Sequence, residues 1–145
     1  MNSVDASFRF SCVSSPDTLP VPPVSELLAK VSAAPAWDEA SIYRAGEQYP
    51  CLHLAWQKEA GFIVHCFEDA ESFGDFLVEG SELGSPEVEV ALGGQAVERW
   101  PRQLFVSEQL ARDAVEFFLN VGKRTPSHGW VSADGFPRET VWELA

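Results

Sequence analysis

The sequence predicts an α+β domain: an antiparallel sheet of about five to six strands covered by an N-terminal and a C-terminal helix. Three observations carry that expectation. The middle of the chain alternates apolar and polar residues with a period of two, as in Leu52, Leu54 and Trp56 against Cys51, His53 and Ala55. Turn signals punctuate it, namely Lys58-Glu59-Ala60-Gly61 and Gly93-Gly94. Before and after it, two stretches carry apolar residues at helical spacing.

In chain order, residues 1–24 hold Pro16, Pro20, Pro22 and Pro23 and read as an irregular, Pro-rich lead-in, with a short edge strand at Ser7 to Val13. Residues 25–145 form a single domain. Ser25 is the expected cap of the first helix, with Glu26 in its first turn; Leu27, Leu28 and Val31 form its apolar face, and Pro35 ends it. Strands follow from Ser41 through the Trp56 region, then over Phe62 to Phe67 and Phe73 to Val78. Glu87 to Leu92 and Gln95 to Trp100 form a hairpin about Gly93-Gly94, which sets Val90 opposite Val97 and Glu89 opposite Glu98. Ser107 opens the second helix, with Leu110, Ala114, Phe117, Phe118 and Val121 on one face and Gly122 at its left-handed end. Thr140 to Leu144 closes the domain as a short strand.

Charge narrows the function classes. The 145 residues include 22 Asp and Glu against 10 Lys and Arg, a net charge of −12. Such a surface repels nucleic acid and anionic lipid and attracts a basic partner. No run is long and apolar enough for a membrane span, and the start lacks the basic and apolar regions of a secretory signal, so the expected compartment is the cytoplasm. The charge is also localised. Glu59 to Glu98 contains ten acids and no Lys or Arg: Glu59, Glu68, Asp69, Glu71, Asp75, Glu79, Glu82, Glu87, Glu89 and Glu98. An acidic run taken alone is a solvated face. Interleaved with strands, this one is expected to sit on a rigid sheet and its loops. The opposed Glu89 and Glu98 then read either as side chains splayed into water or as a seat for a partner's Arg or Lys.

Chemistry-bearing constellations are sparse. Cys12, Cys51 and Cys66 fit no disulfide framework or zinc ribbon. A hairpin register pairing Lys58 with Gly61 puts His53 opposite Cys66, with Cys51 on the same face; such a cluster can ligate zinc or act as a nucleophile–base pair, but it lacks a fourth ligand. Buried thiols and a structural histidine are the alternative. No phosphate-binding loop or nucleophile elbow is present, and no catalytic residue, metal or cofactor is assigned. Of the five tryptophans, Trp130 lies in a Pro- and Gly-containing connection; it is the candidate interface anchor, with packing over the sheet edge as the alternative.

One longer pattern runs through the second half: Gly93-Gly94, Glu98-x-x-Pro101, Val106 leading into the helix that ends Phe117-Phe118-x-x-x-Gly122, and Pro137-x-x-Thr140-x-Trp142. It resembles the family-one Imm immunity proteins of bacterial polymorphic toxin systems, over about residues 35–145. The interval from Gly122 to Pro137 and the Thr at position 140 depart from that pattern. The resemblance implies a cytoplasmic, non-enzymatic protein that binds and neutralises a cognate toxin domain, often a nucleic-acid deaminase, in a one-to-one complex. The acids from Glu68 to Glu98 and Trp130 are the expected contacts with that basic toxin. Two other classes fit the same composition: an acidic secretion chaperone, and a small enzyme using Cys51, His53 and Cys66.

Overall fold

The computed structural model describes residues 8–12, 18–33, 37–58, 60–71, 73–80, 83–91, 96–126 and 129–142. Within them are ten strands and two α-helices: β1 (Phe8–Cys12), β2 (Leu19–Pro20), α1 (Val24–Ser32), β3 (Trp37–Arg44), β4 (Cys51–Gln57), β5 (Gly61–Phe67), β6 (Asp75–Val78), β7 (Pro86–Ala91), β8 (Ala96–Pro101), α2 (Glu108–Val121), β9 (Gly129–Ser132) and β10 (Glu139–Trp142). The class is α+β, and every strand pairing is antiparallel. The expected single sheet of five to six strands is replaced by two sheets. Seven strands run in the order β2-β1-β3-β4-β5-β6-β9, and three in the order β10-β8-β7.

Strand alternation divides the larger sheet into two faces. Leu52 and Leu54 of β4 and Phe62, Val64 and Cys66 of β5 share a buried cluster with Leu27, Leu28 and Val31 of α1 and Ala111, Val115 and Phe118 of α2. Phe8 from β1 meets Phe118 edge-on at 5.6 Å between ring centroids. The opposite face supplies Ile63 and Phe76 to a second cluster with Val88, Val90 and Trp100 of the small sheet, together with Leu104, Phe105 and Phe136. The small sheet is thus held against the larger one by apolar burial.

Helix α2 begins and ends as the sequence dictates. The Ser107 hydroxyl accepts from the Leu110 N–H at 3.2 Å, and Gly122 takes φ 79° with its N–H donating to the Phe118 carbonyl at 2.7 Å. Its buried face is Ala111, Ala114, Val115, Phe118 and Leu119, which leaves Val121 exposed. Helix α1 starts two residues before the position that a cap at Ser25 implies. Val24 is already helical and buried, Pro23 takes the cap position, and the Pro23 carbonyl accepts from the Glu26 and Leu27 N–H groups. Ser25 therefore lies inside the first turn and caps nothing. The expected end at Pro35 falls outside the described residues.

Both expected hairpin registers are off by one residue. In β4–β5, Gln57 pairs with Gly61, so His53 faces His65 and Leu52 faces Cys66. The cause is at the turn: the Ala60 N–H donates to the Gln57 carbonyl, and Gly61 follows at φ 120°. A turn followed by a positive-φ glycine inserts one residue more than a two-residue loop does. In β7–β8, Val90 faces Glu98 and Glu89 faces Arg99. The Gly93-Gly94 turn itself falls outside the described residues. A slip of one position exchanges the faces of every side chain on the slipped strand, and both slips bear on function.

Candidate functional site

The corrected registers dissolve two of the expected constellations. Cys66 lies on the helix-side face with Leu52, across the sheet from His53, so Cys51, His53 and Cys66 form no cluster. Burial, with the nearby Glu68 charge adding to it, pushes the Cys66 thiol up to about 12, which keeps it protonated. Among the described residues, no three His, Cys, Asp or Glu side chains stand where they could hold a metal ion. The second correction concerns Glu89 and Glu98, which are not opposed. Glu89 points to the outer face of the small sheet, where Arg99 lies between it and Glu139 at 3.6 Å from each carboxylate. The cation expected from a partner is supplied by the chain itself.

The remaining acids divide among separate settings. Glu68, Asp69 and Glu71 occupy the exposed connection from β5 to β6, where the Glu71 N–H donates to Asp69 at 2.9 Å. Glu68 pairs at 3.6 Å with Arg124, which also makes a short charged contact with Asp75 of β6. Glu79 is exposed just beyond β6, and Glu87 lies 3.9 Å from Arg102. Glu82 falls outside the described residues. Trp130 is on β9, at the edge of the larger sheet. Half-buried against the helix-side core, it donates its indole N–H to the Thr125 carbonyl at 2.8 Å, with Arg124 over its ring at 5.4 Å. That is packing over the sheet edge, not an exposed anchor.

The main concavity lies on elements that carry little local sequence signal. Between the small sheet and the free part of the larger sheet's second face is an open cleft of about 610 Å³. β3 contributes Trp37 and Glu39, β4 contributes His53, β5 contributes His65 and Phe67, and β8 contributes Glu98 and Trp100. Phe73, Asp134 and Arg138 come from connections. Three mutually edge-on rings support its floor, Phe76 and Trp100 on the lining and Phe136 buried behind them, with centroids 5.1 to 5.3 Å apart. Trp100 is only 7% exposed, and its indole N–H donates to Glu98 Oε1 at 2.8 Å. Phe73 is 69% exposed.

Electrostatics inside the cleft are asymmetric. His53 Nδ1 lies 2.8 Å from Glu39 Oε1, and its Nε2 lies 3.4 Å from the Ser41 hydroxyl. Burial by itself would lower the His53 pKa, but hydrogen bonds with Cys51 and Glu39 and their charge outweigh it and raise the value to about 9. Glu39 is correspondingly held below the usual carboxylate range by the His53 hydrogen bond. His65, opposite His53, is pushed down to about 4 by burial, against the opposing effect of its bond to Phe73; its Nε2 lies 2.9 Å from the Phe73 carbonyl. At neutral pH the neutral ring donates there. Gly74 permits that approach: it takes φ 82°, and a Cβ there would sit 2.5 Å from His65 Nε2.

Glu39, His53 and Ser41 thus form a carboxylate–imidazole–hydroxyl line. The imidazolium charge makes His53 a donor to Glu39, not a base for Ser41. The Arg138 guanidinium donates to the Ala133 carbonyl at 2.6 Å and lies 4.9 Å over the Phe136 ring. Among the described residues, no helix is long and apolar enough to cross a membrane.

No protein-family model matches the chain, and no curated protein matches it.

Proposed function

We propose that the chain is an immunity protein, which binds a basic, nucleic-acid-acting toxin domain such as a deaminase and neutralises it by covering its substrate cleft. The observation that carries this reading is the open cleft between the two sheets. There Glu39, Glu98 and Asp134 stand among Trp37, Phe67 and Phe73. Exposed rings in a concavity supply the buried contact area that anchors a protein partner, and carboxylates select a basic one. The net charge of −12 supports the same choice, because an enzyme acting on DNA or RNA presents a basic surface. The arginine-paired acids of the outer face steer the approach of that partner more than they hold it.

The test is co-purification with the toxin domain encoded beside this chain, followed by assay of that toxin's activity. A one-to-one complex and loss of toxin activity are expected, with an association rate that drops steeply between low and physiological salt. A dimer that captures only an unfolded effector segment, seen by light scattering, would replace this reading with the secretion chaperone.

A catalytic second reading has one observation in its favour, the hydrogen-bonded line of Glu39, His53 and Ser41. Ser41→Ala and His53→Gln separate the two readings. Toxin neutralisation that survives both substitutions removes the catalytic one.

A further inference from the structure

We propose that the cleft receives an arginine side chain from the partner, with Glu98 as the carboxylate that takes the guanidinium. The identity of the partner rests on the immunity reading; the chemistry of the seat rests on the cleft alone. Register is the first reason. Glu87 and Glu89 point outward and meet Arg102 and Arg99, whereas Glu98 pairs in register with Val90 and points into the cleft. Among the described residues it has no ion-pair partner, and it accepts a hydrogen bond from the indole N–H of Trp100. A carboxylate accepts about four hydrogen bonds, so Glu98 can take further donors beside the indole. A half-buried charge beside a nearly buried indole is costly until a cation meets it.

The second reason is the surrounding rings. Trp37, Phe67 and Phe73 line the same concavity, and Phe73 holds its ring largely in water. A planar, weakly hydrated guanidinium can stack on such faces while bonding a carboxylate through two N–H groups, which an ammonium cannot do. The chain itself stacks a guanidinium on a ring at the margin of the same cleft, in Arg138 over Phe136, where it bonds a backbone carbonyl.

Competing occupants fit less well. An anion would meet Glu39, Glu98 and Asp134 against two cations, His53, which is paired with Glu39, and Arg138, which donates to the Ala133 carbonyl and covers the Phe136 ring.

The probe is the blocked peptide acetyl-Gly-Arg-Gly-amide, titrated into the full ¹⁵N-labelled chain with the tryptophan indole N–H signals followed by NMR. A saturable shift of the Trp100 indole signal is expected, with affinity about tenfold weaker in Glu98→Gln. The control Glu116→Gln, on the exposed side of α2, should leave affinity unchanged. The lysine peptide should bind several-fold more weakly than the arginine peptide. Phe73→Ala, at an exposed position, provides a second variant should Glu98→Gln unfold, and is expected to weaken binding about threefold. The proposal is overturned by any of three results: no saturable shift, equal effects of Glu98→Gln and Glu116→Gln, or equal affinity for the two peptides.

The toxin assay separates this seat from the function. If toxin is neutralised with unchanged affinity by Glu98→Gln, the arginine seat falls and the immunity reading stands. If the peptide binds as expected but no toxin is neutralised, the seat stands and the immunity reading falls.

Discussion

His53 and His65 are register partners on β4 and β5, with ring centroids 6.2 Å apart, yet they are held in opposite charge states. Glu39 and Cys51 raise one to about 9, and burial lowers the other to about 4. Two like histidines side by side would repel if both were charged. Here Cys51 and Glu39 together place the charge on His53.

Stability should therefore peak near pH 6.5 as far as these two groups are concerned. The folded pKa of His65 lies below its ordinary 6.5, so the unfolded chain binds more protons between pH 6.5 and about 4, and stability falls as pH drops through that window. His53 behaves in the opposite sense. Its folded pKa lies above 6.5, so its contribution is complete below pH 6.5 and is lost as pH rises through about 9. Urea midpoints across this range should show both limbs, and His65→Phe should remove the histidine's share of the acidic one. Two NMR titrations near pH 6.5 would contradict the assignment.

Gly74→Ala should cost about 2–4 kcal/mol, since backbone strain adds to a collision. The added Cβ meets His65 Nε2 at 2.5 Å and the Cys66 carbonyl at 2.8 Å, and the carbonyl cannot rotate away. Gly46 has the same φ of 82° with nothing within 4 Å, so Gly46→Ala should cost only about 1 kcal/mol. Equal losses in denaturant unfolding would show that crowding at His65 contributes nothing.

Arg124 and Arg99 both bridge two acids, but their substitution should differ in effect. Arg124 is about a third exposed, contacts Asp75 and Glu68, and lies over Trp130. Arg124→Ala should lower stability by about 2 kcal/mol. Arg99 meets Glu89 and Glu139 across an exposed face, so Arg99→Ala should cost less than about 1 kcal/mol, and high salt should erase the difference. Paired unfolding curves at low and high ionic strength check both.

Phe136→Ala should cost about 3 kcal/mol by opening a void among Phe76, Trp100 and Ile63. It should also weaken arginine-peptide binding, because Trp100 holds Glu98 by its indole N–H. Wild-type peptide affinity in a destabilised Phe136→Ala protein would show that the three-ring floor does not position Glu98.

Local pattern made α2 legible from Ser107 to Gly122, as well as the strands about Leu54 and Val64, because caps and alternation depend on near neighbours. Register was not legible from the assumed two-residue turns. Gly61, one position beyond the turn core, was the available signal for the extra residue in β4–β5. The ten-acid count located Glu98 but not its direction, since direction follows register. The Pro- and Gly-containing stretch that forms β9 carries no strand pattern, Glu39 lies before the alternation that starts at Ser41, and nothing local shows that β7 and β8 belong to a separate sheet. The cleft was inaccessible for a different reason: it brings together Trp37, His53, Phe73, Glu98 and Asp134, and that convergence exists only once two sheets have packed.

The larger sheet places the helix-side core and the cleft wall on alternate residues of the same strands. Along β4 and β5, every second side chain belongs to the helix-side core, and His53, His65 and Phe67 fall between them facing the cleft. Exchanging Phe73, Phe67 or Asp134 would leave Leu52, Leu54, Val64 and Phe118 undisturbed. A scaffold arranged this way is evolvable in a definite sense: exposed residues of the cleft can change one after another while the helix-side core is inherited intact.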